Sequence, residues 1–89
     1  MAGIYLNSTN KSHIIINDNF PIVINNAKKN NFENIKSGDI IEVTYDSISE
    51  TYPRATQVYS CKFIKRGNID DIPKDVLNYL QELGWKFDI

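Results

Sequence analysis

At 89 residues, 42% of them apolar, the chain can build one small packed core and is too apolar to be disordered throughout. A single cysteine, Cys61, excludes an internal disulfide and a cysteine-built zinc site, and no apolar run approaches the roughly 20 residues of a membrane helix. The net charge of −1 is unevenly placed, with eight Lys/Arg against six Asp/Glu in 1–67 and two against five in 68–89, which argues against a protein held by phosphate contacts.

The first third reads as a meander of short strands. Ile4 to Leu6 ends in the polar stretch Asn7-Ser8-Thr9-Asn10-Lys11-Ser12, and His13-Ile14-Ile15-Ile16 ends in Asn17-Asp18-Asn19. Phe20-Pro21-Ile22-Val23-Ile24 follows, with Pro21 expected at a strand start or an edge because it cannot donate to a ladder. Asn25 to Lys36 is rich in Asn and Lys and reads as a crossing loop pinned by Phe32 and Ile35. The start, Met1 to Asn7, lacks the basic and long apolar stretches of a signal peptide. The expected location is therefore cytoplasmic, unless an export segment has been removed.

Ser37-Gly38-Asp39 is a turn signal, since Gly38 can take the positive φ of a tight reversal. Ile40 to Tyr45 then alternates, with Ile41, Val43 and Tyr45 on one face and Glu42 and Thr44 on the other. After a loop over Asp46 to Ala55, the run Thr56 to Lys65 is again β-rich. Its alternation places Tyr59, Cys61 and Phe63 inward and Lys62 and Lys65 outward. Val58 and Ile64 have the opposite parity, so a bulge that switches faces midway is the alternative. The strands are expected near 3–8, 13–17, 20–25, 39–46 and 55–65 in a small antiparallel β-barrel over 1–67.

Residues 68–89 form an extension of a different character, packed on the barrel within one domain. Asp70-Asp71-Ile72-Pro73 reads as a helix start, with acids near the positive end of the dipole and proline in the first turn. Val76, Leu77, Leu80 and Leu83 make one apolar face of a helix over 73–83. Gly84 is expected as its left-handed terminator, with Trp85 folding back onto Leu80. The helix reads as a lid on an open end of the barrel, and Trp85 to Ile89 as a short final strand.

No residue pattern carries a reaction. His13 and Cys61 could form a Cys–His pair, but Cys61 alternates with Tyr59 and Phe63 and His13 opens a strand, so packing and surface positions are expected for them. Asp70-Asp71 and Glu42/Asp46 lack the oxygen-ligand spacing of a calcium loop, and Gly3, Gly38, Gly67 and Gly84 form no phosphate-cradling loop. No catalytic residue, metal or cofactor is therefore expected.

Gly3-Ile4-Tyr5, the Ile14-Ile15-Ile16 run, Phe20 to Ile24, Ile35 to Val43, and Ser49-Glu50-Thr51-Tyr52-Pro53 followed by Ala55-Thr56 together resemble the YobA-like domains of unknown function from Gram-positive bacteria. The resemblance covers residues 3 to about 65 and implies a five-stranded OB-like barrel, with a crossing connection before the fourth strand. Many such domains are exported lipoproteins, whose lipid-attachment cysteine near the start has no counterpart here. In OB folds the loop between the last two strands borders the common ligand cleft, together with the loop after the first strand. That position in an OB fold makes Tyr5, Glu50, Tyr52 and Arg54 the ligand-binding candidates. The plainer reading has Tyr52-Pro53 closing the barrel rim and Glu50 accepting backbone N–H bonds. The expected function is a non-catalytic module binding a protein or small ligand. The alternative is single-stranded nucleic-acid binding, with Lys28, Lys29, Lys62, Lys65 and Arg66 gathered beside Tyr5 and Tyr52.

Overall fold

A computed structural model of the chain describes residues 1–7, 13–26, 34–50 and 54–87. Five strands appear where the alternation places them: β1 (Ala2–Asn7), β2 (His13–Asn17), β3 (Phe20–Asn26), β4 (Ile40–Tyr45) and β5 (Arg54–Lys65). They close into a barrel in the order β1-β2-β3-β5-β4, with β4 returning to β1 through pairs such as Gly3↔Ile41. The architecture is OB-like, with a C-terminal helix as expected. One correction concerns strand direction. A ring of five strands cannot be antiparallel at every contact, and the exception here is β3–β5, which runs parallel from Ile22↔Arg54 to Asn26↔Val58.

Local chemistry explains the joints. Asn17 pairs with Phe20 across Asp18 and Asn19, whose φ values are 51° and 65°. Such a two-residue turn suits the twist of a hairpin, and short Asn and Asp side chains tolerate its left-handed backbone. At the other end of the sheet the Ser37-Gly38-Asp39 turn forms with Gly38 at φ 99°. It extends the β1–β4 ladder, because Gly38 N–H donates to the Tyr5 carbonyl and Tyr5 N–H to the Asp39 carbonyl, both at 2.8 Å.

Two apolar cores share one sheet. Inside the barrel lie Tyr5, Ile15, Ile22, Ile24, Ile41, Val43 and Val58, with half-buried Ile35 packed against them. Outside it, Leu6, Ile14 and Ile16 meet Ile72, Val76 and Leu80. Strand β2 is therefore buried on both faces, which accounts for three consecutive isoleucines in place of an alternation. Phe32, the other residue expected to pin the crossing loop, lies outside the described residues.

The helix α1 (Lys74–Glu82) covers this outer face and is not a lid on the barrel's end. Its start also differs from the expectation. Asp70 and Asp71 belong to a separate 3-10 turn (Ile69–Asp71), where Asn68 accepts from Asp70 N–H at 3.1 Å and Asp71 accepts from Asn68 N–H at 3.2 Å. Pro73 stands at the N-cap of α1 and not within its first turn. The helix end follows the reading. Gly84 N–H donates to Gln81 O at 3.0 Å and Trp85 N–H to Leu80 O at 3.1 Å, the paired bonds of a Schellman cap, with Gly84 at φ 98°. Leu83 is the C-cap residue and is exposed, so three of the four expected apolar positions face the barrel. Residues 85–87 form no strand, though Trp85 and Phe87 pack onto the outer core. Among the described residues no helix is long and apolar enough to cross a membrane.

Strand β5 overturns half of its expected phase. Ile41 and Val43 are buried and Glu42 and Thr44 exposed, as their alternation requires. Yet Val58 and Thr56 occupy the interior, while Tyr59 and Phe63 are 46% and 44% exposed. A bulge explains Tyr59: Thr44 pairs with Ser60 and Tyr45 with Val58, so Tyr59 is passed over and the facing parity switches there, which puts Cys61 and Phe63 on the side of Val43 and Ile41, although Phe63 stays partly exposed. Cys61, opposite Val43, is half-buried on the inner side, whereas Lys62 and Lys65 are exposed. A second irregularity, between Ile41↔Phe63 and Ile40↔Lys65, passes over Ile64.

Candidate functional site

The connection after β4 is laced to the start of β5. Asp46 N–H donates to Gln57 O at 3.0 Å, and Ser49 N–H donates to Ala55 O at 2.7 Å. The buried Thr56 hydroxyl lies 3.2 Å from the carbonyls of both Asp46 and Ser47. Here the carboxylate that organises the backbone is Asp46, which accepts from Ser47 N–H at 2.8 Å and from the Tyr59 hydroxyl at 2.9 Å. Those two bonds lower its pKa, the backbone bond first, while the Tyr59 phenol is raised by its bond to Asp46 and then by the Asp46 charge. Glu50, given that role by the sequence, is exposed.

Glu50 and Arg54 stand one residue beyond the Ser49–Ala55 bridge, on its two strands. The exposed Arg54 guanidinium lies over the exposed Phe20 ring, 5.5 Å from its centroid. This makes Phe20, Arg54 and Glu50 neighbours on one rim. Tyr52 lies outside the described residues. Tyr5 does not join them: it is a core residue on the inner face, so it offers no surface to a ligand. Its assignment fails because Ile4-Tyr5-Leu6 is apolar on both sides, and so short a run does not say which side faces inward.

Tyr5 belongs instead to a polar contact inside the barrel. Its hydroxyl is 2.5 Å from His13 Nδ1, and the two rings stack with centroids 5.8 Å apart. His13 is half-buried, and that burial lowers its pKa. Burial, with a smaller contribution from nearby Cys61, raises the Tyr5 phenol. Burial also pushes the Cys61 thiol up to about 11. A thiol this weakly acidic stays protonated near neutrality, which is the reverse of an activated nucleophile. Among the described residues no group of three or more His, Cys, Asp or Glu side chains is placed to hold a metal ion.

The feature that the sequence missed is the exposed C-terminal half of β5. Tyr59, Phe63 and Ile64, the last 47% exposed, lie among Lys62, Lys65 and Arg66. Arg66 stacks on Phe63 at 5.2 Å and bonds the buried Asp39 carboxylate at 2.7 Å. Asp39 also accepts from Lys36 N–H at 2.9 Å and Gly67 N–H at 3.3 Å, so it ties the turn before β4 to the residues after β5. Gly38 and Gly67 permit that approach, since a Cβ on Gly67 would stand 1.9 Å from Gly38 O. The pairing of a lone acid with a lone arginine 27 residues away leaves no local signal in sequence. The exposure of Tyr59 was legible only if the bulge was placed first.

Compared with known proteins, the chain matches no family model, no curated protein and no solved structure.

Proposed function

We propose that the chain is a non-catalytic, OB-type binding module that takes a protein partner through the exposed C-terminal half of β5. The observation that carries this reading is the exposure of Tyr59, Phe63 and Ile64 along β5, with Lys62, Lys65 and, just past the strand, Arg66 also exposed. Aromatic side chains and arginine are enriched where proteins meet, and they supply most of the binding energy there. The protonated Cys61 thiol and the internal role of His13 favour binding over turnover. The resemblance to YobA-like domains accords with this reading and adds no activity to it.

Single-stranded nucleic acid is the second reading, favoured by a β5 that carries Arg54, Lys62, Lys65 and, just beyond it, Arg66 without one acid between them. It is weakened by the pairing of these charges. Arg66 is bound to Asp39, Lys62 stands opposite Glu42, and the whole chain has a net charge of −1. Little counterion release is left to hold a phosphate backbone.

Display selection of random peptides on the immobilised chain, beside a titration with labelled oligo-dT at several salt concentrations, separates the readings. Selected peptides are expected to lose binding to the Phe63→Ala, Ile64→Ser double variant, whose exposed positions leave its melting temperature nearly unchanged. Peptides indifferent to that variant, or tight oligo-dT binding with a steep salt dependence, would overturn the protein-partner reading.

A further inference from the structure

The charges on the outward face of β4–β5 are ordered. Burial of Ile41 and Val43 turns Glu42 and Thr44 outward, opposite the exposed Lys62 and Ser60. Glu42 and Lys62 are ladder partners, so the centre of this face is neutral. The ends are not. Exposed Asp46 stands at one, next to Tyr45 and bonded by the Tyr59 hydroxyl at 2.9 Å. Exposed Lys65 stands at the other, next to Ile64 and near Phe63. Arg66 at that end is matched by Asp39, and Lys36, on the turn that leads into β4, adds a second exposed cation.

Neighbouring charges do not undo this order. Asp70 and Asp71 lie where the chain has left β5 and packs over the outer core through Ile69 and Ile72. Glu50 and Arg54, of opposite sign, flank the Ser49–Ala55 bridge together. From Tyr59 to Lys65 the strand runs about 20 Å, at roughly 3.3 Å per residue. That exceeds the Debye length of about 8 Å, so the two ends act as separate charges. A uniformly acidic partner would be repelled by Asp46, and a uniformly basic one by Lys65 and Lys36. The face fits a surface with the same two signs in reverse order and apolar side chains at both ends.

A second copy of the chain is such a surface. A two-fold axis that lies in the interface and crosses the strands lays one face on the other with the ends exchanged. Asp46 of each copy then meets Lys65 of the other, Tyr45 and Tyr59 meet Phe63 and Ile64, and the neutral centres meet each other. Every contact is made twice, which doubles what one small patch contributes.

We infer that the partner is a second copy of this chain, docked face to face through β4 and β5 about a two-fold axis that brings the Asp46 end of each face to the Lys65 end of the other. This rests on the reading of β5 as the contact surface and names the partner that the surface takes.

Sedimentation equilibrium of the full chain from roughly 10 μM to 1 mM tests it, the range suited to an interface at the small end of the scale. A monomer–dimer equilibrium with its midpoint in that range is expected. Phe63→Ala with Ile64→Ser should weaken it by about tenfold or more. Lys65→Glu alone, or Asp46→Lys alone, places like charges together twice per dimer and should weaken it by about tenfold. An equimolar mixture of those two reversed chains pairs opposite charges at both contacts, so it should dimerise about as well as the parent. A merely structural effect of either substitution would not be rescued by mixing. Thermal melts verify that each variant is folded.

A monomer at every concentration would overturn the inference. If displayed peptides nevertheless depend on Phe63 and Ile64, the surface reading stands with a different protein as partner; if they do not, both fall. A dimer indifferent to the Phe63→Ala, Ile64→Ser variant lies on another surface and also overturns the inference. A mixture of the reversed chains that associates no better than either alone would overturn the exchanged ends.

Discussion

Leu80→Ala tests whether the C-terminal helix is structural. Leu80 is 0% exposed and is held between α1 and the outer sheet residues Leu6, Ile14 and Ile16. The substitution removes three carbons, and at about 0.8 kcal/mol per buried methylene the transfer term alone is roughly 2.4 kcal/mol. A cavity term adds to this when the walls cannot close. Here one wall is a hydrogen-bonded barrel, and the Schellman cap that ends the other is anchored on the Leu80 carbonyl. Collapse is therefore limited, and a total of about 3–4 kcal/mol is expected.

That is a large share of the roughly 5–10 kcal/mol that a domain of this size retains, and it corresponds to a melting temperature lower by on the order of 10–25 °C. Urea titration followed by circular dichroism and by the fluorescence of Trp85, itself packed on the same core, measures it. Leu83→Ala is the internal control: at 43% exposure it should cost less than about 1 kcal/mol. Equal costs for the two variants, or a Leu80→Ala protein within about 0.5 kcal/mol of the parent, would show that the helix does not stabilise the barrel.

Gly67→Ala should destabilise by about 2 kcal/mol or more, because its Cβ meets the Gly38 carbonyl, whereas Gly84→Ala meets nothing within 4 Å and should cost about 1 kcal/mol from backbone strain. Paired melts of the two variants measure this; a Gly84 variant as unstable as the Gly67 one would contradict the close approach of the two turns. Asp39→Asn should cost about 1–3 kcal/mol, more than Arg66→Ala, since the buried carboxylate also holds two backbone N–H groups while Arg66 is exposed. Stability should also fall in mild acid. The folded state lowers the His13 pKa, so the unfolded chain binds the proton more readily, and stability present above the ordinary value of about 6.5 is lost as pH falls from there through the folded value. A urea midpoint followed from pH 8 to pH 5 should therefore decline less steeply in His13→Gln; identical slopes would mean that another group titrates.

What was legible in sequence follows from how local its cause is. The alternation of Ile41 and Val43 with Glu42 and Thr44 was readable because β4 has one buried face. The helix end was readable because the Gly84 and Trp85 bonds close within a few residues. The phase of β5 was not, because the bulge at Tyr59 depends on how β4 turns away at Tyr45. Tyr5 was misjudged as a ligand contact, since its inward direction is fixed by Ile15 beside it and by the helix behind the sheet. The candidate site was thus partly legible: Glu50 and Arg54 belong to one loop in sequence and flank the Ser49–Ala55 bridge in the fold, but the exposure of Tyr59 was hidden by the bulge.

The helix and the exposed strand are two consequences of one arrangement. A closed barrel of five strands has a single interior, and α1 with its flanking residues covers the outside of β1, β2 and β3. The β4–β5 side has no such cover among the described residues. Of the six exposed large apolar residues described, four (Tyr45, Tyr59, Phe63 and Ile64) belong to β4 or β5. Chance would scatter such residues singly around the surface, where they need no explanation. Their gathering on the side that has no cover among the described residues does need one, because grouped exposed apolar surface marks a contact site. A partner seated there would complete on β5 what α1 already does for β2, which is to cover the second face of a strand whose first is buried.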